Sequence, residues 1–208
     1  MKVLFLILLS FLSLNALAQA PFVGKLIYSI EIADTAMRDM FSTSTMTIYT
    51  NDTIIRVETS TETLGTQVLI QHIEKKKSYL LIDTPIGNFA IQIPSDSTKA
   101  EKKYTYKKVS GQREIAGLKS SKLEVSNTVV AEKLPFYYHK DIAAKLLPGF
   151  EDFPGLLTDY FVISKDGLYH HQLIEVKHEP VNKDLFGIPS DYERVTMDDF
   201  VDKMTSVK

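Results

Sequence analysis

The chain has 208 residues, with 24 Lys and Arg against 26 Asp and Glu and a formal charge of −2. A near-neutral, slightly acidic chain offers no electrostatic footprint for nucleic acid. There is no Cys, which excludes disulfide staples and a lipidated cysteine. The fold must rest on a hydrophobic core, and a chain of this length can bury one.

The opening stretch, "MKVLFLILLSFLSLNALAQA", puts one positive charge, Lys2, before an apolar run from Val3 to Leu14. It closes on small residues, Ala16-Leu17-Ala18 or Ala18-Gln19-Ala20. That three-part order is the pattern of a secretory signal peptide. The apolar run is shorter than the roughly 20 residues of a bilayer span. We therefore predict a signal peptide over residues 1–20, cut after Ala18 or Ala20, and a single antiparallel β-rich domain over 21–208. The product is expected to be exported, periplasmic or secreted at the cell surface, soluble and with no further membrane span.

In "GKLIYSIEI", Leu26, Tyr28, Ile30 and Ile32 share one face, while Lys25, Ser29 and Glu31 share the other with Ile27. Period two with one wet face marks an antiparallel strand. "STMTIYT" and "TIIRVETS" flank Asn51-Asp52, a turn pair, and read as a hairpin. "TQVLIQHI", "KSYLLID" and "NFAIQIP" continue the meander, the second after the run Lys75–Lys77. Pro94 to Lys103 is polar and reads as a loop. "YTYKKVS" resumes, followed by a short arm, a turn near Gly117 and a strand from Lys119 to Val125. "VVAEKLPFYYHK" is another strand. Asp141 to Leu147 is weakly helical and is stopped by Pro148-Gly149. "LLTDYFVIS" and "LYHHQLIEVKHE" form a last long hairpin about Lys165-Asp166-Gly167. The tail "TMDDFVDKM" reads as a helix, with Thr196 three residues before Asp199 in capping-box spacing. The fold class is mainly β: one curved antiparallel sheet or half-open barrel with short helices, including one near the C-terminus. An outer-membrane barrel fits poorly, because most strands are short and carry Lys or Glu at mid-strand.

The chain is poor in catalytic patterns. His170, His171, Glu175, His178 and Glu179 form its most metal-like cluster, but adjacent residues of a strand point to opposite faces. His170 and His178 share a face at a separation of roughly 26 Å, too far for one zinc ion. Exposed histidines are the simpler reading. Asp83, Asp141, Asp159 and Asp166 sit near predicted element ends, where turn chemistry accounts for them. No G-x-S-x-G or P-loop occurs. We expect no enzyme activity, no cofactor and no metal.

Several segments, taken in order, resemble a known group. "FVGKLIYSI" resembles the F-x-G-x-I-x-Y opening of exported Bacteroidota domains of unknown function. "IIRVE" resembles their Arg-x-Glu strand, here Arg56 and Glu58. "GQREIAGLKSSKLEV" resembles their G-x-x-x-I-A-G segment, with Ser120 or Ser121 where relatives often carry Cys. "FPGLLTDY" resembles the element that gives the GLPGLI family its name, and "DLFGIPSDYERV" resembles a closing F-x-I-P-x-x-Y signature. These families are similar in architecture to the LolA/LolB-type lipoprotein-carrier fold, a curved antiparallel sheet with an apolar concavity. The resemblance implies a cell-envelope binding module that holds an apolar or lipid-like ligand. The alternative is a structural or protein-interaction envelope domain with a filled core and an envelope protein as partner. The lining of such a concavity would come from Leu26, Tyr28, Ile30, Ile48, Leu80, Ile82, Phe89 and Ile91; ordinary core is the competing reading. The closing signature is expected to act as a latch, with Phe186 and Ile188 plugging an apolar edge, Pro189 ending a strand and Tyr192 packing back. Asp34-Thr35-Ala36 and Asp52-Thr53-Ile54 resemble short O-glycosylation sites of exported Bacteroidota proteins, which makes Thr35 and Thr53 modification candidates.

Overall fold

A computed structural model describes residues 19, 21–34, 43–61, 65–94, 104–164 and 167–206. The described residues form one sheet of twelve strands. The first six are β1 (Gly24–Ile32), β2 (Ser44–Thr50), β3 (Ile54–Thr61), β4 (Gly65–His72), β5 (Lys77–Thr84) and β6 (Gly87–Ile93). The others are β7 (Tyr104–Ile115), β8 (Leu118–Asn127), β9 (Leu134–His139), β10 (Leu156–Ser164), β11 (Gly167–Lys177) and β12 (Tyr192–Thr196). Helix α1 covers Met197–Thr205. The strand order is β12-β6-β5-β4-β3-β2-β1-β11-β10-β9-β8-β7. Two meanders thus meet where β1 pairs with β11, and the sheet stays open, with β7 and β12 as its edges. Each neighbouring pair is antiparallel except β12 with β6, which is parallel. The sequence reading does not foresee that pair, because a parallel partner arrives from far along the chain.

Register decides which side chains meet. Residues opposite one another in a ladder point to the same face. Leu26 faces Ile48, then Val57, Leu69, Leu80, Ile91 and Val195, one row across seven strands. This row belongs to the inner face. On the opposite, outer face, Arg56 faces Ile70 and then Tyr79, while Leu81 faces Ala90 and then Arg194.

The inner face between β1 and β9 is covered by the segment that joins β9 to β10. Ile142, Ala143, Ala144, Leu146, Leu147 and Phe150 of this plug are buried. Four of them, Ile142, Leu146, Leu147 and Phe150, share one core cluster with Leu26, Tyr28, Ile48, Phe136 and Tyr160. The plug is a single 3-10 turn, Ala144–Leu146, without a side-chain N-cap. The expected weak helix does not form. Fewer than two turns lie ahead of Pro148, too few to offset helix nucleation. Its consecutive buried residues also lack a 3.6-residue stripe. Gly155 returns the chain to β10. A Cβ there would lie 2.3 Å from the carbonyl oxygen of His139, so the "PGL" step needs a residue with no side chain.

Three register shifts reset the pleat among the described residues, one of them at Thr158, an extra residue on β10 opposite β9. Ile27 faces Glu175 but Tyr28 faces Leu173, which leaves Ile174 as an extra residue on β11. Ile174 is accordingly exposed, and Val176 crosses to the inner face opposite Leu26 and packs on the core. The strict alternation that puts His170 and His178 on one face would put Val176 there too, and the bulge moves Val176 to the other. β7 also runs through Gly111 to Ile115 instead of stopping at Ser110, with a register shift between Lys108 and Gln112.

The latch lies on the outer face. Phe186 is buried in a 3-10 turn over Lys183–Phe186, and Ile188 and Tyr192 pack on a small cluster of Ile70, Leu81 and Ala90. Pro189 ends no strand. It precedes β12, which begins at Tyr192. Arg56 ties the latch down, donating from Nη1 to the Leu185 carbonyl at 3.0 Å and from Nε to Glu58 at 2.6 Å. The Tyr192 hydroxyl donates to Asp83, and Asn88 Nδ2 donates to Asp191 at 3.0 Å. The Arg-x-Glu strand and the closing signature are therefore two halves of one clasp. After the latch, Thr196 caps α1 through a reciprocal capping box with Asp199, as the spacing predicts.

Candidate functional site

The eight apolar residues read as a ligand lining all sit on the inner face. They do not converge on one site. Leu26, Tyr28 and Ile48 are buried in the main core, and Ile30 packs partly buried against it. Phe89 and Ile91 belong to a separate cluster with Val195, joined by the half-buried Ile82 and Phe200. Leu80 lies between, half-buried. The plug occupies the space above the first group, and α1 covers part of the second, with Phe200 edge-on to Phe89 at 5.4 Å. The hold of α1 is slight. None of its side chains is buried, and Met197, Val201 and Met204 stay at least 40% exposed.

The Tyr28 hydroxyl donates to the Leu157 carbonyl at 2.8 Å inside the core. Burial holds both Tyr28 and Tyr160 far above the ordinary phenol range, so each stays a neutral structural donor. Lys145 of the plug reaches Asp52 of the β2–β3 turn at 3.2 Å, and Tyr106 donates to the Asp152 carbonyl at 3.3 Å. The plug is thus anchored at both ends as well as packed.

The adjacent histidines diverge, as the pleat requires, but neither is the freely exposed histidine that the sequence suggests. His171 turns inward, stacks on Tyr160 at 4.9 Å, and has its Nδ1 3.3 Å from the Tyr160 hydroxyl. Burial, and then neighbouring His170, lower its pKa to about 4. His170 turns outward, stacks on Phe161 at 4.8 Å and lies 3.1 Å from Asp159. Asp159 is buried at mid-strand and not at a turn, and Arg113 pairs with its other oxygen. The Arg113 guanidinium also lies 4.0 Å above the Tyr137 ring. Arg113 and Asp159 are 46 residues apart in sequence, so no local pattern announces them. A buried carboxylate shared by Arg and His has the makings of an acid–base pair, but no hydroxyl is hydrogen-bonded to His170 among the described residues. The arrangement works as a clasp that neutralises a buried charge between β7, β10 and β11. No group of three metal-ligating side chains occurs among the described residues.

Among the described residues, two open grooves lie away from these groups. One, of about 260 Å³, borders the latch where it leaves the β4–β5 hairpin. The other, of about 320 Å³, lies over β7, β8 and β9 beside the Lys133–Glu124 pair. Of the modification candidates, Thr35 lies outside the described residues. Thr53 is exposed at the tip of the β2–β3 hairpin, and its hydroxyl donates to Asn51 Oδ1 at 3.0 Å. Among the described residues no helix is long and apolar enough to cross a membrane. Comparison with known proteins returned neither a matching family profile nor a matching curated protein.

Proposed function

We propose that this chain is an exported cell-envelope domain with a filled core, a structural or interaction module whose binding surfaces lie outside the sheet. The observation that carries this reading is the plug: Leu146, Leu147 and Phe150 are buried where a carrier would need open apolar space. Export rests on the signal-peptide pattern at residues 1–20. Gln19 favours the cut after Ala18, because its side-chain amide donates to the Lys140 carbonyl at 2.9 Å and would remain on the mature chain. The kinship with exported Bacteroidota domains and the GLPGLI family belongs to the same proposal, and Gly155 gives its "PGL" element a structural purpose.

A second reading, a carrier with a lipid-like ligand on the inner face, is favoured by one observation. Helix α1 buries none of its own side chains while its Phe200 packs with half-buried Ile82 on the Phe89, Ile91 and Val195 cluster, as a movable cover would. The test is to purify the protein from its own envelope and compare its native and denatured masses. The filled-core reading expects no increment that depends on the inner face. A noncovalent lipid increment in the native mass, lost on denaturation and abolished by Ile91→Trp on that face, would establish the carrier and refute the filled core.

A further inference from the structure

The groove beside the latch gathers cations without a countercharge. Lys77 lies opposite His72 across the β4–β5 ladder, with Ile70 opposite Tyr79 next to them on the same outer face. Lys75 comes from the turn, and Arg194 enters from β12. The wall opposite is Phe186-Gly187-Ile188 of the latch, held in place by Arg56. Lys75, Lys77 and Arg194 have no ion-pair partner among the described residues, and no carboxylate lines the groove. By contrast, Lys133, Lys145, Lys177 and Lys203 each reach an acidic side chain.

Solvated lysines at a turn are ordinary, but three features exceed that pattern. The cations come from two parts of the chain far apart in sequence, the β4–β5 hairpin and β12. They border a concave space instead of fanning outward. Its apolar surface comes from Ile70 and Ile188, with Tyr79 beside them. Crowded like charges beside a low-dielectric wall raise the local potential. His72 registers this: burial first, then Lys75 and Lys77, lower its pKa.

We propose that this groove binds a small amphiphilic anion, a phosphate or carboxylate group carried on a compact apolar body. The charged head sits among Lys75, Lys77 and Arg194, and the body lies on Ile70 and Ile188. At about 30 Å³ per water volume, the groove holds about nine waters, or a ligand of about ten non-hydrogen atoms. Either a free metabolite or the head of an anionic lipid supplies such a group. The site is independent of the inner face, so its existence and the filled-core reading stand or fall separately.

Phenyl phosphate, inorganic phosphate and vesicles containing phosphatidylglycerol are suitable probes, read by amide shifts of Tyr79 and Ile188 and by vesicle sedimentation. Phenyl phosphate is expected to give saturable shifts and to bind more tightly than inorganic phosphate. The double variant Lys77→Gln/Arg194→Gln should weaken it about tenfold or more, since charge-assisted hydrogen bonds contribute on this scale. Both side chains are exposed, so the thermal midpoint should not move; Lys75→Glu provides a second, independent loss. Sedimentation with vesicles, abolished in the same variants, would assign the head group to a lipid, and inert vesicles would assign it to a soluble ligand. Absence of saturable shifts with phenyl phosphate together with inert vesicles, or binding unchanged in both variants, would overturn the proposal.

Discussion

His171 shows how a polar residue is used inside a β-sheet core. Its ring takes the place of an aromatic side chain against Tyr160 and carries no charge, because burial and His170 hold its pKa at about 4 against an ordinary 6.5. The unfolded chain takes up a proton near 6.5 while the folded chain resists until about 4. Stability from this residue is therefore complete above the unfolded value and is lost as pH falls through that window. The loss amounts to at most about 3 kcal/mol. His171→Phe keeps the ring and removes the titration. We expect thermal midpoints of the parent to fall more steeply than those of the variant between pH 6.5 and pH 4. Parallel curves would mean that His171 does not titrate on unfolding. The pairing of Arg113 with Asp159 illustrates what a sequence hides at this scale. A carboxylate inside "LLTDYF" looks like a strand-end residue until β7 brings a guanidinium to it from 46 residues away.

At the scale of elements, the latch and the plug divide the work between the two faces. The latch closes the outer face through Phe186, Ile188 and Tyr192, and it also delivers β12 to the exposed edge of β6, which would otherwise present an unpaired ladder. Truncation before Asp184 removes this clasp, β12 and α1 together, and should lower the thermal midpoint markedly. A truncated chain that melts with the parent would refute the structural role of the latch. Tyr192→Phe, which removes only the hydrogen bond to Asp83, should cost about 1 kcal/mol or less. For the plug, Leu146→Ala empties a fully buried position and should cost about 2–5 kcal/mol, measured by denaturant unfolding. Gly155→Ala should be comparably harmful, because its Cβ would meet backbone and not a side chain that can move aside. A loss below about 1 kcal/mol at Leu146 would show that the plug is not part of the core.

Across the whole molecule, legibility followed the range of the interactions. Period-two alternation located "GKLIYSIEI" to the residue, because the alternation records which face is buried; "LLTDYFVIS", whose first five residues are all buried, was read instead from its place in the last hairpin. The Thr196 cap was legible because it closes over three residues. The eight apolar candidates share one face, yet their division between two clusters depends on what the plug and α1 cover, and that is settled by contacts distant in sequence. The bulge at Ile174 and the parallel pairing of β12 left no local signature. The latch was recognisable as an apolar, Pro-containing and Tyr-containing cluster, but its target is the outer face of β4, β5 and β6, a placement that only the register reveals.

The filled core depends on whether residues 142–156 form a fixed part of that core or a lid that opens. Native-state hydrogen exchange at two plug amides answers this most directly: the Leu156 N–H donates to the Ile142 carbonyl and the Leu147 N–H to the Ala144 carbonyl, both at 2.9 Å. We expect both amides to exchange only through global unfolding, with the same opening free energy and denaturant dependence as amides of central β1. Exchange through a local opening several kcal/mol below the global value, insensitive to denaturant, would make the plug a lid and would contradict the filled core.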